Sequence, residues 1–192
     1  MFTFPTWLTF ARIALIPIFV VVFNLPVWWS NLAATIIFSL AAITDWVDGY
    51  LARRLEQTSN FGAFLDPVAD KLMVAVALVL LVAAHPSALF SIPAAVIIGR
   101  EIAVSALREW MAEIGKRAHV AVSSLGKIKT TAQMTALILL LYGEPLWGVP
   151  VVTIGYGLLY IAAALTLWSM AVYLFAAWPM IKAHNGKAGQ QG

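Results

Sequence analysis

The chain has no cysteine, so disulfides, thiolate metal sites and cysteine nucleophiles are excluded from the start. Charge is scarce too: Asp, Glu, Lys and Arg make up 11% of the 192 residues, where a soluble domain carries about 25%. The three histidines, His85, His119 and His184, have no mutual spacing of a ligand set and read as loop or interfacial residues. No short apolar segment with a small-residue cleavage site follows the first basic residue, Arg12, so no removable leader is expected. Repeats and low-complexity blocks are missing as well. What fills the sequence instead is apolar: 62% of residues are hydrophobic and the mean hydropathy is +0.89. That is a membrane composition, with room for one compact domain. The pI near 9.3 does not point to nucleic acid, because the basic residues are spread over short loops between apolar segments.

Six stretches have helical length against the roughly 20 residues needed to cross a bilayer. They cover 7–24, 32–54, 66–84, 91–112, 129–142 and 151–177, the fifth with a start nearer Val122 if it is to span. The expected fold is all-α: a polytopic membrane protein with six transmembrane helices and a short N-terminal interfacial helix around Trp7-Leu8-Thr9-Phe10. Breaks fall at Asn24-Leu-Pro26, His85-Pro86, Gly115 and Gly143-Glu-Pro145. The membrane domain is expected to fill 1–181, and the polar stretch 182–192 to be a disordered tail.

All twelve Lys and Arg residues fall toward one side of this topology, and the opposite loops, 25–31, 85–90 and 143–150, hold none. The positive-inside rule then places both termini in the cytoplasm. Trp28, Trp29 and Trp147 lie in the uncharged loops and fit an aromatic belt on the far side.

Four aspartates, Asp45, Asp48, Asp66 and Asp70, stand between two long apolar runs. Asp45, Asp48, Gly49, Ala52 and Arg53 fall at i, i+3, i+4, i+7 and i+8, hence on one helix face. Asp66 and Asp70 are one turn apart on the next helix. The simplest arrangement is a helical hairpin that gathers four carboxylates, and such a cage is stable only if cations fill it. From Asn31 to Asp45 is fourteen residues, about 21 Å of helix, which sets the cage just below the cytoplasmic boundary of a core about 30 Å thick. A lipid headgroup and a soluble substrate can both reach that depth.

The fourth span carries Arg100 and Glu101 near its middle, with Ser105 and Arg108 on the Glu101 face. Ionisable groups at that depth face protein or a wet cavity. A basic collar follows, Lys116-Arg-Ala-His119 and Gly126-Lys-Ile-Lys-Thr-Thr131, on the same side as the aspartates. An acidic cage beside a basic collar points to two phosphate-bearing ligands, one held through metal and one by direct cationic contact.

The pattern D-x2-D-G-x2-A-R-x8-G-x3-D-x3-D is complete in Asp45, Asp48, Gly49, Ala52, Arg53, Gly62, Asp66 and Asp70. At roughly one in fifteen per fixed position, chance agreement is on the order of 10⁻⁹. With these residues the chain resembles the CDP-alcohol phosphatidyltransferases. The opening Pro5-Thr-Trp-Leu-Thr-Phe-Ala-Arg12 is similar to that family's P-N-x-L-T-x-x-R, with Thr6 in place of Asn. Arg100 to Glu109 and Gly126 to Thr130 resemble the branch that makes phosphatidylglycerophosphate. The resemblance implies a homodimeric six-helix bacterial inner-membrane enzyme among membrane lipids, dependent on Mg²⁺ or Mn²⁺, with two ions expected. It implies transfer of the phosphatidyl group of CDP-diacylglycerol to sn-glycerol 3-phosphate, with release of CMP. Asp45, Asp48, Asp66 and Asp70 are then the metal ligands, and Asp70 also takes the proton of the attacking hydroxyl. The family places cytidine against Gly49, Ala52 and Gly62, with Arg53 on the diphosphate. For the acceptor phosphate the choice is Arg108, Lys127 and Lys129, with Arg117 and Lys116 next.

Blander readings stand beside these. The aspartates can form a structural ion-pair network with Arg53, Arg54 and Lys71; Arg100 and Glu101 can be a buried pair that fixes the fourth span; the collar can meet anionic lipid. The rival function of another class is a cation transporter, since intramembrane carboxylates also line ion paths. Clustering at one membrane side argues against a path. Within the chemistry, other acceptor alcohols are the alternative, and the basic collar favours a phosphorylated one.

Overall fold

The computed structural model describes residues 4–55, 60–113 and 124–188, with side chains described for 7–45, 62, 64–112 and 126–178. The regular elements among them are six helices: α1 (Phe4–Phe23), α2 (Ser30–Leu55), α3 (Asn60–Ala84), α4 (Ala88–Glu113), α5 (Ser124–Tyr142) and α6 (Val151–Ala188). Three are long and apolar enough to cross a membrane, within Phe64–Ala84, Ala88–Ala112 and Val151–Trp178. Trp7–Phe23 and Ser30–Asp45 are shorter apolar helices. The chain is thus all-helical, and three of the six expected spans meet that measure. The apolar part of α2 stops where its acidic and basic residues begin.

Two boundaries differ from expectation. The interfacial helix is not a separate element, because residues 4–23 form one unbroken helix. Pro5 lies in the first turn, where a missing N–H costs nothing, and nothing between it and Arg12 breaks the ladder. At the other end α6 continues to Ala188, past Lys182, where the tail was expected to lose structure. The last turns propagate from the long helix before them and run through the Asn185-Gly186 pair. The fifth helix starts at Ser124, near the earlier start that a full span requires.

Helix ends are closed locally. Asn24 donates from Nδ2 to the Val20 carbonyl at 2.8 Å, taking up one of the carbonyls left open at the end of α1. Between α5 and α6, Leu146 and Val149 exchange backbone hydrogen bonds of 3.2 and 2.9 Å around Trp147 and Gly148. Both central residues have positive φ, 49° and 79°, as a two-residue primed turn requires. Trp147 is 95% exposed at its tip and Trp28 is 89% exposed between α1 and α2. Both fit interfacial anchors.

The core runs through every helix: Phe19 of α1, Phe38 of α2, Leu78 of α3, Ile97 of α4, Leu137 of α5 and Leu159 of α6 are all fully buried. On α3 the buried set Met73, Val74, Ala77, Leu78 and Leu81 keeps the i, i+3, i+4 spacing of one helical face. Phe19 meets Phe38 at 6.1 Å between centroids, and Phe90 meets Tyr156 edge-on at 5.7 Å. The outward faces are apolar as well, with Ile18, Val79, Ile92, Ile102 and Phe175 exposed. Helices apolar all round suit a lipid solvent. α1 packs on both α2 and α3, α5 on α6 and α2, and α4 on α6 and α3. This packing brings the N-terminal halves of α1, α3 and α5 to the C-terminal halves of α2 and α4.

Candidate active site

Arg12 stands at the centre of the acidic cluster. Its Nη1 donates to Asp45 Oδ1 at 3.1 Å, Asp66 Oδ1 at 3.3 Å and Asp70 Oδ1 at 2.5 Å. The Arg12 side chain is 1% exposed, while the three carboxylates keep about a third of their surface open (34%, 36% and 33%). Thr9, one turn earlier on α1, donates from Oγ1 to the same Asp66 oxygen at 3.4 Å. Three helices therefore meet around one guanidinium nitrogen, whose two hydrogens are shared among three carboxylate oxygens. The structure brings Asp45, Asp66 and Asp70 together on Arg12, so the positive group among them is a side chain. Among the described residues no three acidic or histidine side chains form a ready metal cage. Arg12 was legible only as a positive-inside charge and as the last residue of the opening motif. An arginine within an apolar helix, with Thr9 on its face, was the available signal.

A cavity of about 620 Å³ opens beside this cluster. Asp45 and Asp70 line it together with Lys71, Glu101, Ser105, Lys129, Thr130 and Gln133, and apolar side chains of α3, α4 and α5 make the rest. Lys129 is buried and pairs with Glu101 Oε1 at 2.8 Å. Arg100 donates to that oxygen from Nη1 at 2.8 Å and to Ser169 Oγ from Nη2 at 2.9 Å. One carboxylate thus ties α4 to α5, and Arg100 extends the tie to α6. Lys71 donates to Ser105 Oγ, and Ser105 in turn bonds the Glu101 carbonyl at 2.6 Å. Lys71 belongs to this second group, not to the aspartates of the ion-pair reading, and the side chains of Arg53 and Arg54 lie outside those described.

The basic residues chosen for an acceptor phosphate divide. Lys129 lines the cavity. Lys127 is exposed and two positions away, hence on a different helix face. Arg108 lies over the Tyr173 ring at 5.4 Å from its centroid, stacked toward α6 and away from the cavity lining. Gly62 lies in the first turn of α3, next to the described part of the cluster. The side chains of Asp48, Gly49, Ala52 and Arg53 lie outside those described, and so do Lys116 and Arg117. Gln133, which lines the cavity one turn after Lys129, is absent from the expected site residues; its signal was an amide one turn from Lys129, on the same face of α5.

The carboxylate cluster and the helical fold carry the spacing of a known family, and the family model for CDP-alcohol phosphatidyltransferases matches residues 2–176. The chain belongs to that family. Among its relatives is the Escherichia coli (strain K12) protein named CDP-diacylglycerol–glycerol-3-phosphate 3-phosphatidyltransferase, 58% identical over 176 residues, or 92% of this chain and 95% of the relative. Proteins of the same name from Shigella flexneri and Shigella boydii serotype 4 are similar to the same extent, 58% over 176 residues.

Proposed function

We propose that the protein transfers the phosphatidyl group of CDP-diacylglycerol to sn-glycerol 3-phosphate, releasing CMP. What carries the proposal is one cavity that reaches both the acidic cluster, through Asp45 and Asp70, and a buried lysine, Lys129. The relatives named for this reaction support the choice of substrates.

Hard oxygen donors fit Mg²⁺ or Mn²⁺, and three carboxylates gathered on one positive group support a cluster that takes cations. Asp45, Asp48, Asp66 and Asp70 would hold the ions. Bound there, two ions would neutralise the diphosphate and the charge that develops as it is cleaved. The residues divide the remaining work. Lys129 takes the acceptor phosphate by direct charge-assisted hydrogen bonds, with Arg108, Lys127 and Arg117 as the outer basic residues. The primary hydroxyl oxygen of the acceptor forms a bond to the phosphorus next to diacylglycerol. The bond from that phosphorus to the bridging oxygen breaks, CMP leaves with that oxygen, and Asp70 receives the hydroxyl proton. Gly49, Ala52 and Gly62 leave room for the cytidine, and Arg53 faces the diphosphate.

Six membrane spans, a homodimer in the inner membrane, and a site and both termini on the cytoplasmic side complete the proposal, with the membrane domain ending near residue 181. Exposed apolar faces on every side of the bundle support lipid as the solvent. The cluster gathers around one guanidinium at one end of the bundle, which suits a fixed site better than an ion path. The test is CMP release by purified protein with CDP-diacylglycerol and Mg²⁺, against glycerol 3-phosphate, inositol phosphate and serine. CMP appearing with serine alone, or with no acceptor, would overturn it.

A further inference from the structure

Gln133 is a buried polar residue of α5, 7% exposed, and it lines the cavity one helical turn from Lys129. Its carboxamide oxygen Oε1 is buried and accepts no hydrogen bond. Buried carbonyl oxygens are nearly always paired, so an unpaired one on a residue of the cavity wall lacks its donor. The cavity holds Asp70 as well as Lys129, and its volume of about 620 Å³ exceeds that of a three-carbon phosphate. The donors of that lining are bonded elsewhere, Lys129 to Glu101, Lys71 to Ser105, Ser105 to the Glu101 carbonyl and Thr130 to the Gly126 carbonyl, and Ile97, Ile98 and Met134 have none.

We infer that Gln133 is a specificity-determining residue for the acceptor: its carboxamide oxygen accepts a hydrogen bond from the hydroxyl adjacent to the attacking one on a phosphorylated polyol. The inference rests on the functional reading above, in which Lys129 takes the acceptor phosphate and Asp70 the attacking hydroxyl. A three-carbon acceptor held at those two ends places its middle hydroxyl along the wall between them. A site that leaves a buried acceptor unpaired discriminates against an analogue lacking the donor.

The experiment compares glycerol 3-phosphate with 3-hydroxypropyl phosphate, which keeps the phosphate and the primary hydroxyl but lacks the middle one. The full chain in mixed micelles with CDP-diacylglycerol and Mg²⁺ should prefer glycerol 3-phosphate by about 30-fold in kcat/KM. In Gln133→Met, of similar volume but without the oxygen, the preference should fall below about 3-fold, through loss with glycerol 3-phosphate alone. A folded Gln133→Met that keeps the full preference overturns the inference and leaves water as the oxygen's partner. If that variant does not fold, the wild-type comparison decides: equal kcat/KM for the two acceptors overturns the role of Gln133 while the transferase reading stands. CMP release with neither acceptor overturns both.

Discussion

Arg12 of α1 donates to Asp70 of α3 at 2.5 Å across 58 positions of sequence, and the same nitrogen reaches Asp45 and Asp66. This contact makes α1 part of the candidate site. It supplies positive charge to three carboxylates that could not otherwise share so small a space in ionised form.

Removing that charge should be costly. Arg12→Ala is expected to lower stability by about 3 kcal/mol, the low end for breaking a buried ion pair, because the carboxylates keep some access to water. Unfolding of the detergent-solubilised protein in excess chelator measures it. Adding Mg²⁺ should restore part of the loss by filling the same cluster, and Arg12→Lys should fall between the two. An unchanged unfolding midpoint in chelator would mean the cluster needs no internal cation.

Asp66→Asn keeps the shape of the side chain and removes its charge. Asp66 bonds both Thr9 and Arg12, so the packing of α1 on α3 should survive through the remaining amide oxygen. CMP release should fall roughly 10³-fold or more with every acceptor, as expected when a ligand acting in one concerted unit is lost. A loss confined to one acceptor would move Asp66 out of the shared chemistry.

The sequence made the acidic cluster legible because helical periodicity relates Asp45 to Asp48 and Asp66 to Asp70. A short connection then leaves the two pairs few places to go. Arg12 was not legible in the same way, since its contacts join residues 33 to 58 positions apart. Periodicity carries no information about which distant helix a face meets. The same limit separates Lys127 from Lys129: both belong to one basic run, yet only Lys129 points into the cavity, and Arg108 turns to Tyr173. The breaks after α1, α3 and α5 are legible because Pro and Gly act locally, while Gly115 lies outside the described residues; the continuous α1 depends on Pro5 occupying a first turn. Gly155 and Gly157 stand two residues apart on α6, and packing distinguishes them.

A Cβ on Gly155 would stand 2.8 Å from Leu140 Cγ and 3.3 Å from Leu139 Cβ, where α6 crosses α5. Gly155→Ala should therefore destabilise by about 1 kcal/mol net, overpacking outweighing the better helix propensity of alanine. Gly157 has nothing within 4 Å of its added Cβ, so Gly157→Ala should stabilise by up to about 1 kcal/mol. Thermal unfolding of the two variants side by side checks the sign. The same sign for both would show that α5 and α6 do not cross at Gly155 as described.

Lys129 and Glu101 test whether the basic wall serves substrate or only structure. Lys129→Ala removes one charge-assisted phosphate contact, worth about 1.5–3 kcal/mol, so the KM for glycerol 3-phosphate should rise roughly 10- to 100-fold. kcat should change much less, since phosphate binding is felt equally in ground and transition states. Glu101 remains bonded to Arg100 in that variant, so the α4 end of the network persists. Glu101→Gln should weaken the placement of Lys129 without removing its charge, giving a smaller rise in KM. The double variant should then be no worse than Lys129→Ala alone, with a coupling of about 0.5–3 kcal/mol between the two positions. Additive losses would mean that Glu101 acts on the acceptor by another route, and an unchanged KM in Lys129→Ala would place the acceptor phosphate elsewhere on the basic collar.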